Sequence, residues 1–173
     1  MKKALLVIDM QNIYSSGEDW ACKDFEDAIK YIEKLIKEFS KSDIFFTKFK
    51  ASDNPIGVWM EYNEVYKHIN ENYYLNDYTD KLKKYLTNDN LFIKDTYSSL
   101  KNKDLYDKLK FYDLIYVTGV TAGCCVLSTV FELIDMGKKI VYCTKGIAAL
   151  SEGTEEAVIN ILKGLSPLHV IIK

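Results

Sequence analysis

At 173 residues, 48% of them hydrophobic, the chain has the length and composition of one globular domain, 1–173, with a sizeable core. Its 23 basic and 25 acidic residues are interspersed and leave a formal charge of −2, which excludes the basic surface that nucleic acid or an anionic membrane requires. Four cysteines (Cys22, Cys124, Cys125 and Cys143) have neither the spacing of a disulfide framework nor that of a zinc site.

The amino-terminal apolar run is too short for a signal sequence and meets an aspartate at once, and no run approaches membrane-spanning length. A soluble, reduced, cytoplasmic protein is expected. Ala4 to Ile8 is continuously apolar, the pattern of a parallel strand buried on both faces. It ends at Asp9, where open α/β sheets place their ligands, although an aspartate after a strand also caps turns. Phe25, Ala28, Ile29, Ile32, Leu35, Ile36 and Phe39 recur at spacings of three and four and predict an amphipathic helix. Residues 43–47 read as the second strand.

Residues 50–76 are irregular and aromatic, with Pro55, Gly57, Trp59, Tyr62, Tyr66, Tyr73 and Tyr74. An excursion of this length is expected to form a pocket wall or a subunit contact, with local aromatic packing as the alternative. A short helix over 78–86 and a third strand over 91–93 follow. Lys94 then stands at that strand's end, a helix covers 104–110, and a fourth strand covers 113–118.

The stretch Ile115-Tyr-Val-Thr-Gly-Val-Thr-Ala-Gly-Cys-Cys-Val126 reads as strand, tight turn with Gly119 and Gly123, then helix. It delivers a thiol, Cys124 or Cys125, near a helix's first turn, where unpaired N–H groups and the helix dipole favour a thiolate. The helix runs through Ile134 with Gly137 as its C′ residue. A strand over 139–143, a helix over 154–163 and a strand over 168–172 complete the pattern. About six strands alternating with helices imply right-handed crossovers. The expected fold is a three-layer αβα, Rossmann-like architecture with a mostly parallel six-stranded sheet and helices on both faces.

In such a sheet these strands end on one rim, so Asp9, Lys94 and the Cys124/Cys125 pair can meet in one crevice. A cysteine beside an ammonium is expected to carry thiolate at neutral pH, an aspartate to shuttle a proton, and loop N–H groups to hold an oxyanion.

Three ordered motifs carry a family resemblance. Leu-Leu-Val-Ile-Asp9-Met-Gln11-Asn12 is similar to the opening motif of the isochorismatase-like cysteine hydrolases, which include nicotinamidases and N-carbamoylsarcosine amidohydrolases. Lys94-Asp-Thr-Tyr97-Ser98-Ser-Leu resembles that family's Lys-x-x-Tyr-Ser-x-Phe, and Gly119-Val-Thr-Ala-Gly-Cys-Cys125-Val126 resembles its Gly-Val-x-Thr-x-x-Cys-Val. The resemblance selects Cys125 as nucleophile, with Cys124 a packing neighbour, in an Asp9–Lys94–Cys125 triad. It also implies a cis peptide at Val120–Thr121 in the oxyanion loop. Ala122 departs from the motif threonine.

Nicotinamidase-type members hold a metal through an aspartate and two histidines after the second strand. Here His68 stands alone and His169 belongs to the last strand, so no metal and no cofactor are expected. Gln11, Tyr14, Trp59 and Tyr97 are the candidate substrate contacts, and the resemblance implies a homo-oligomer, dimer or tetramer, acting on a small molecule. The expected reaction is hydrolysis of a small amide or carbamoyl C–N bond through a thioester. The alternatives are isochorismatase-type cleavage of a vinyl ether, which does not need the thiol, and a small-molecule-binding α/β protein without catalysis.

Overall fold

The computed structural model describes residues 1–173. Six strands form one sheet: β1 (Lys3–Ile8), β2 (Ile44–Phe49), β3 (Leu91–Lys94), β4 (Leu114–Gly119), β5 (Lys139–Ile147) and β6 (Val170–Ile172). Their order is β3-β2-β1-β4-β5-β6, and every neighbouring pair is parallel. The chain winds outward from β1 in one direction, then restarts on its other side at β4. The switch point of the sheet therefore lies between β1 and β4, where α/β sheets open a crevice at their carboxyl ends.

The central position of β1 explains its unbroken apolar run. Ala4, Leu6 and Ile8 enter one core, whereas Leu5 and Val7 enter the core on the opposite face, the alternation a pleated strand imposes. Helix α1 (Phe25–Ile36) covers the Leu5/Val7 face with the residues its spacing predicts except Phe39, which lies beyond the helix's end and packs there half-buried. Helices α6 (Lys103–Leu109), α7 (Leu127–Asp135) and α8 (Glu152–Leu165) cover the other, through Leu105, Leu109, Val130, Leu133, Val158 and Leu162.

Residues 50–76, irregular by sequence, fold into α2 (Val58–Val65), α3 (Lys67–Asn70) and α4 (Tyr73–Asn76). Helix α2 buries no residue, and its Val58, Met60 and Val65 are exposed, so no apolar stripe of helical period marks it in the sequence. The helix expected over 78–86 contracts to α5 (Asp80–Lys83), because Tyr78 is bridged to Gln11 instead. β2 runs on to Phe49, β3 to Lys94 and β5 to Ile147, each past its expected end.

Two backbone positions bring the strand ends together. Gly119 has φ +114°, and a Cβ there would lie 2.1 Å from the carbonyl oxygen of Ile8. Only glycine lets β4 pass this close to β1. Asp9 adopts φ +51°, a left-handed conformation that aspartate tolerates better than most residues, and so leaves the line of β1.

Candidate active site

Asp9 leaves β1 with its amide donating to Thr47 O (3.1 Å), and the Thr47 hydroxyl returns a hydrogen bond to Oδ1 (2.8 Å). Thr47 lies on β2, between the strands that bear Asp9 and Lys94. From the end of β3, Lys94 Nζ reaches 2.7 Å from Asp9 Oδ2, and both side chains have no solvent exposure. The same ammonium donates to Thr96 O (2.9 Å) and to Cys125 Sγ (3.4 Å), and it lies 5.5 Å from the centre of the Phe49 ring. Burial opposes the charge on Lys94, but Asp9 and Cys125 outweigh it and hold the ammonium above its usual pKa.

Cys125 sits in one wide, π-helical turn, Ala122–Val126, that precedes α7. Such turns place one residue more per turn than an α-helix and recur at functional sites. Thr129 fixes this turn: its hydroxyl donates to Cys125 O (2.7 Å) and accepts from Ser99 N (3.0 Å). The turn is thereby tied to the segment after β3. The Val120–Thr121 peptide is cis. Val120 N donates to Ile8 O and Ala122 N to Ala148 O, whereas the Thr121 amide between them donates to no group of the chain.

The thiol is not the preformed thiolate that its place near a helix start suggests. Burial and the Asp9 carboxylate push its pKa up to about 12, and the opposing pull of Lys94 does not prevail. The ammonium is committed to Asp9, 2.7 Å away, more closely than to sulfur. The resting group is thus a buried ion pair beside a neutral thiol.

A cavity of about 200 Å³ opens onto Cys125, with Thr121, Cys124 and Leu150 also on its wall. Cys124, expected only to pack, therefore reaches the cavity. The remaining lining is six rings: Tyr14, Trp20, Phe49, Tyr62, Tyr66 and Tyr97. Tyr14 and Tyr97 thus stand where a substrate contact was expected. Trp59 does not; it forms a second layer, edge-on to Tyr97 (5.0 Å between centroids) and Tyr62 (5.2 Å). Gln11 is also off the cavity. Its amide nitrogen donates to Phe49 O (3.0 Å) and Asn76 O (2.9 Å), and its oxygen accepts from Phe49 N (2.9 Å), so it ties β1 to β2 and α4.

Trp20, at the centre of the ring cluster, lies in a short loop outside every periodic pattern. The one sequence signal for it is that this loop follows the first strand's end. Another hollow, of about 440 Å³ between α1 and β5, shares no residue with this site.

The isochorismatase-domain family model matches residues 3–170. The chain belongs to the isochorismatase family of hydrolases. Comparison with curated proteins gave no match. Solved structures with this family's fold include the pyrazinamidase of Pyrococcus horikoshii in complex with zinc (TM-score 0.78, 18% identity, covering 100% of this chain and 99% of that one). The pyrazinamidase/nicotinamidase of Streptococcus mutans UA159 superimposes with a TM-score of 0.76 at 22% identity, over 98% and 99% of the two chains. A cysteine hydrolase from Pseudomonas syringae pv. phaseolicola 1448A gives 0.79 at 16% identity, over 99% and 87%.

The metal-ligand set of nicotinamidase-type members of the isochorismatase family is not assembled in this chain. His68 is exposed and bonded to Asp19 (2.8 Å), His169 is exposed just before β6, and no three His, Cys, Asp or Glu side chains gather as a ligand group. No helix is long and apolar enough to cross a membrane.

Proposed function

We propose that this isochorismatase-family hydrolase cleaves the C–N bond of a small amide or carbamoyl compound through a thioester on Cys125. The observation that carries this reading is the convergence of Lys94 Nζ on Asp9 Oδ2 (2.7 Å) and on Cys125 Sγ (3.4 Å), with Cys125 on the wall of the ring-lined cavity. A carboxylate, an ammonium and a thiol from three separate strand ends form the set that nucleophilic amide hydrolysis requires.

With the thiol held near 12, the sulfur is activated only as it attacks. Asp9 takes the thiol proton while the S–C bond forms and the carbonyl electrons move to oxygen. The unpartnered Thr121 amide, with that of Cys125, stabilises the oxyanion. Asp9 then gives its proton to the departing nitrogen as the C–N bond breaks, leaving a thioester. A water attacks the thioester, Asp9 accepts its proton, and the acid departs as the thiol reforms. Lys94, in contact with both Asp9 and Cys125, holds the pair in register between these transfers. Tyr14 and Tyr97 contact the acyl group.

The test is ammonia release from a panel of small primary amides and carbamoyl compounds. Cys125→Ala and Asp9→Asn are expected to abolish release, and an acyl adduct is expected on Cys125 by intact-mass measurement. Full activity in both variants, or turnover that survives alkylation of Cys125, overturns the reading.

A further inference from the structure

Hydrolysis of an amide leaves open what the rest of the substrate must be, and the cavity itself bears on this. Six aromatic rings line it, contributed by the turn after β1 (Tyr14), the loop before α1 (Trp20), the end of β2 (Phe49), α2 and the residue after it (Tyr62, Tyr66) and the loop after β3 (Tyr97). Neighbouring rings are not parallel. Their planes are inclined by 34° for Tyr14 and Trp20, 54° for Tyr62 and Tyr66, 67° for Trp20 and Phe49, and 74° for Trp20 and Tyr66. Crossed faces enclose a rounded group better than a flat one.

The electrostatics favour positive charge. No Lys, Arg or His lines the cavity, so no cationic side chain there pairs with a carboxylate. Lys94, which contacts the lining residue Cys125, is paired with Asp9 and lies over the Phe49 ring at 5.5 Å. Ring faces in an enclosed site attract alkylated ammonium groups, which shed water readily.

We propose that the cavity is an aromatic cage for an alkylated ammonium group, so that the preferred substrates are small amides bearing a fixed positive charge. The catalytic half of this statement rests on the amidase reading; the binding half does not. The reaction balances as water plus a trimethylammonio amide giving the trimethylammonio carboxylate and ammonium, with no other reactant.

The decisive pair of probes is trimethylammonioacetamide and 3,3-dimethylbutanamide, which share a shape and differ by the charge at one atom. Each is measured as a substrate and as a protectant of Cys125 against iodoacetamide, at constant ionic strength set with sodium chloride. The cationic amide is expected to protect at a concentration about tenfold lower or less, and tetramethylammonium chloride to protect saturably. Trp20→Leu and Tyr66→Leu, which keep apolar bulk but remove a ring face, are expected to bring the ratio towards one. If either variant loses its native circular dichroism the other serves, and the wild-type ratio decides without both.

Equal protection by the two amides, or preference for the neutral one, overturns the cage. Charge-selective protection with no turnover of either amide overturns the amidase reading and leaves the cage standing. Turnover without charge preference does the reverse.

Discussion

Replacing Asp9 by Asn removes one charge from an ion pair whose two side chains are both fully buried, 2.7 Å apart. The substitution preserves size, and the asparagine oxygen still accepts the Thr47 hydroxyl that now lies 2.8 Å from Oδ1. The change therefore isolates the charge. It leaves a buried ammonium whose remaining oxygen partner is Thr96 O at 2.9 Å. Breaking a buried pair from one side costs about 3–5 kcal/mol. In a chain of this size each kcal/mol moves Tm by about 2–4 °C, so Tm is expected to fall by about 6–20 °C at neutral pH.

The pH dependence carries the sharper test. In the wild type, Lys94 has a raised pKa, so its contribution is complete below the ordinary lysine value and is lost only as pH climbs through the raised one. In Asp9→Asn, burial acts on Lys94 without the carboxylate to oppose it, and the pKa falls. The penalty is then largest at low pH and shrinks as the lysine sheds its proton. Thermal melts of both proteins between about pH 6 and 10, followed by circular dichroism, should give curves that converge as pH rises. A constant or widening gap, or a loss below about 1 kcal/mol, would refute the buried ion pair as a source of stability.

Three further perturbations probe other parts of the molecule. With the Cys125 thiol near 12, its alkylation rate by iodoacetamide in a Cys124→Ser background should rise about tenfold per pH unit from 7 to 10; a plateau near neutrality would mean a preformed thiolate. Gly119→Ala places a methyl 2.1 Å from Ile8 O at φ +114°, so a loss above about 4 kcal/mol or no folded protein is expected, and a Tm near wild type would contradict the strand-end geometry. Thr47→Val keeps the shape but leaves Asp9 Oδ1 short of its 2.8 Å donor. A stability loss of about 1–3 kcal/mol by urea unfolding and a matching drop in ammonia release are expected, and an unchanged protein would show that Thr47 does not set the carboxylate.

The layout of the sheet was legible because it is written locally. The continuous run Ala4–Ile8 marks a strand covered on both faces, and the three-and-four spacing from Phe25 to Ile36 marks the helix that covers one of them. The convergence of Asp9, Lys94 and Cys125 was also accessible, since parallel strands share a rim. What escaped depends on contacts distant in sequence. The state of the thiol is decided by how deeply Cys125 is buried and by the carboxylate from β1, not by its place near a helix start. Gln11 has the chemistry of a substrate contact, yet its amide is spent on the backbone of Phe49 and Asn76. Trp20 had no periodicity to announce it, and α2 hides its helical character because its aromatic side turns to the cavity while Val58, Met60 and Val65 meet solvent.

Helix α2 anchors nothing in either core, yet with the residue after it supplies two of the rings that face Cys125. The ion pair and thiol, by contrast, hang from strand termini fixed by main-chain pairing. The cavity wall and the buried ion pair are therefore built from separate stretches of polypeptide. Amino-acid changes in α2 are expected to reshape the cavity wall at little cost to folding, whereas changes at Asp9, Thr47, Lys94 or Gly119 are expected to disturb the buried ion pair or the strand ends that carry it.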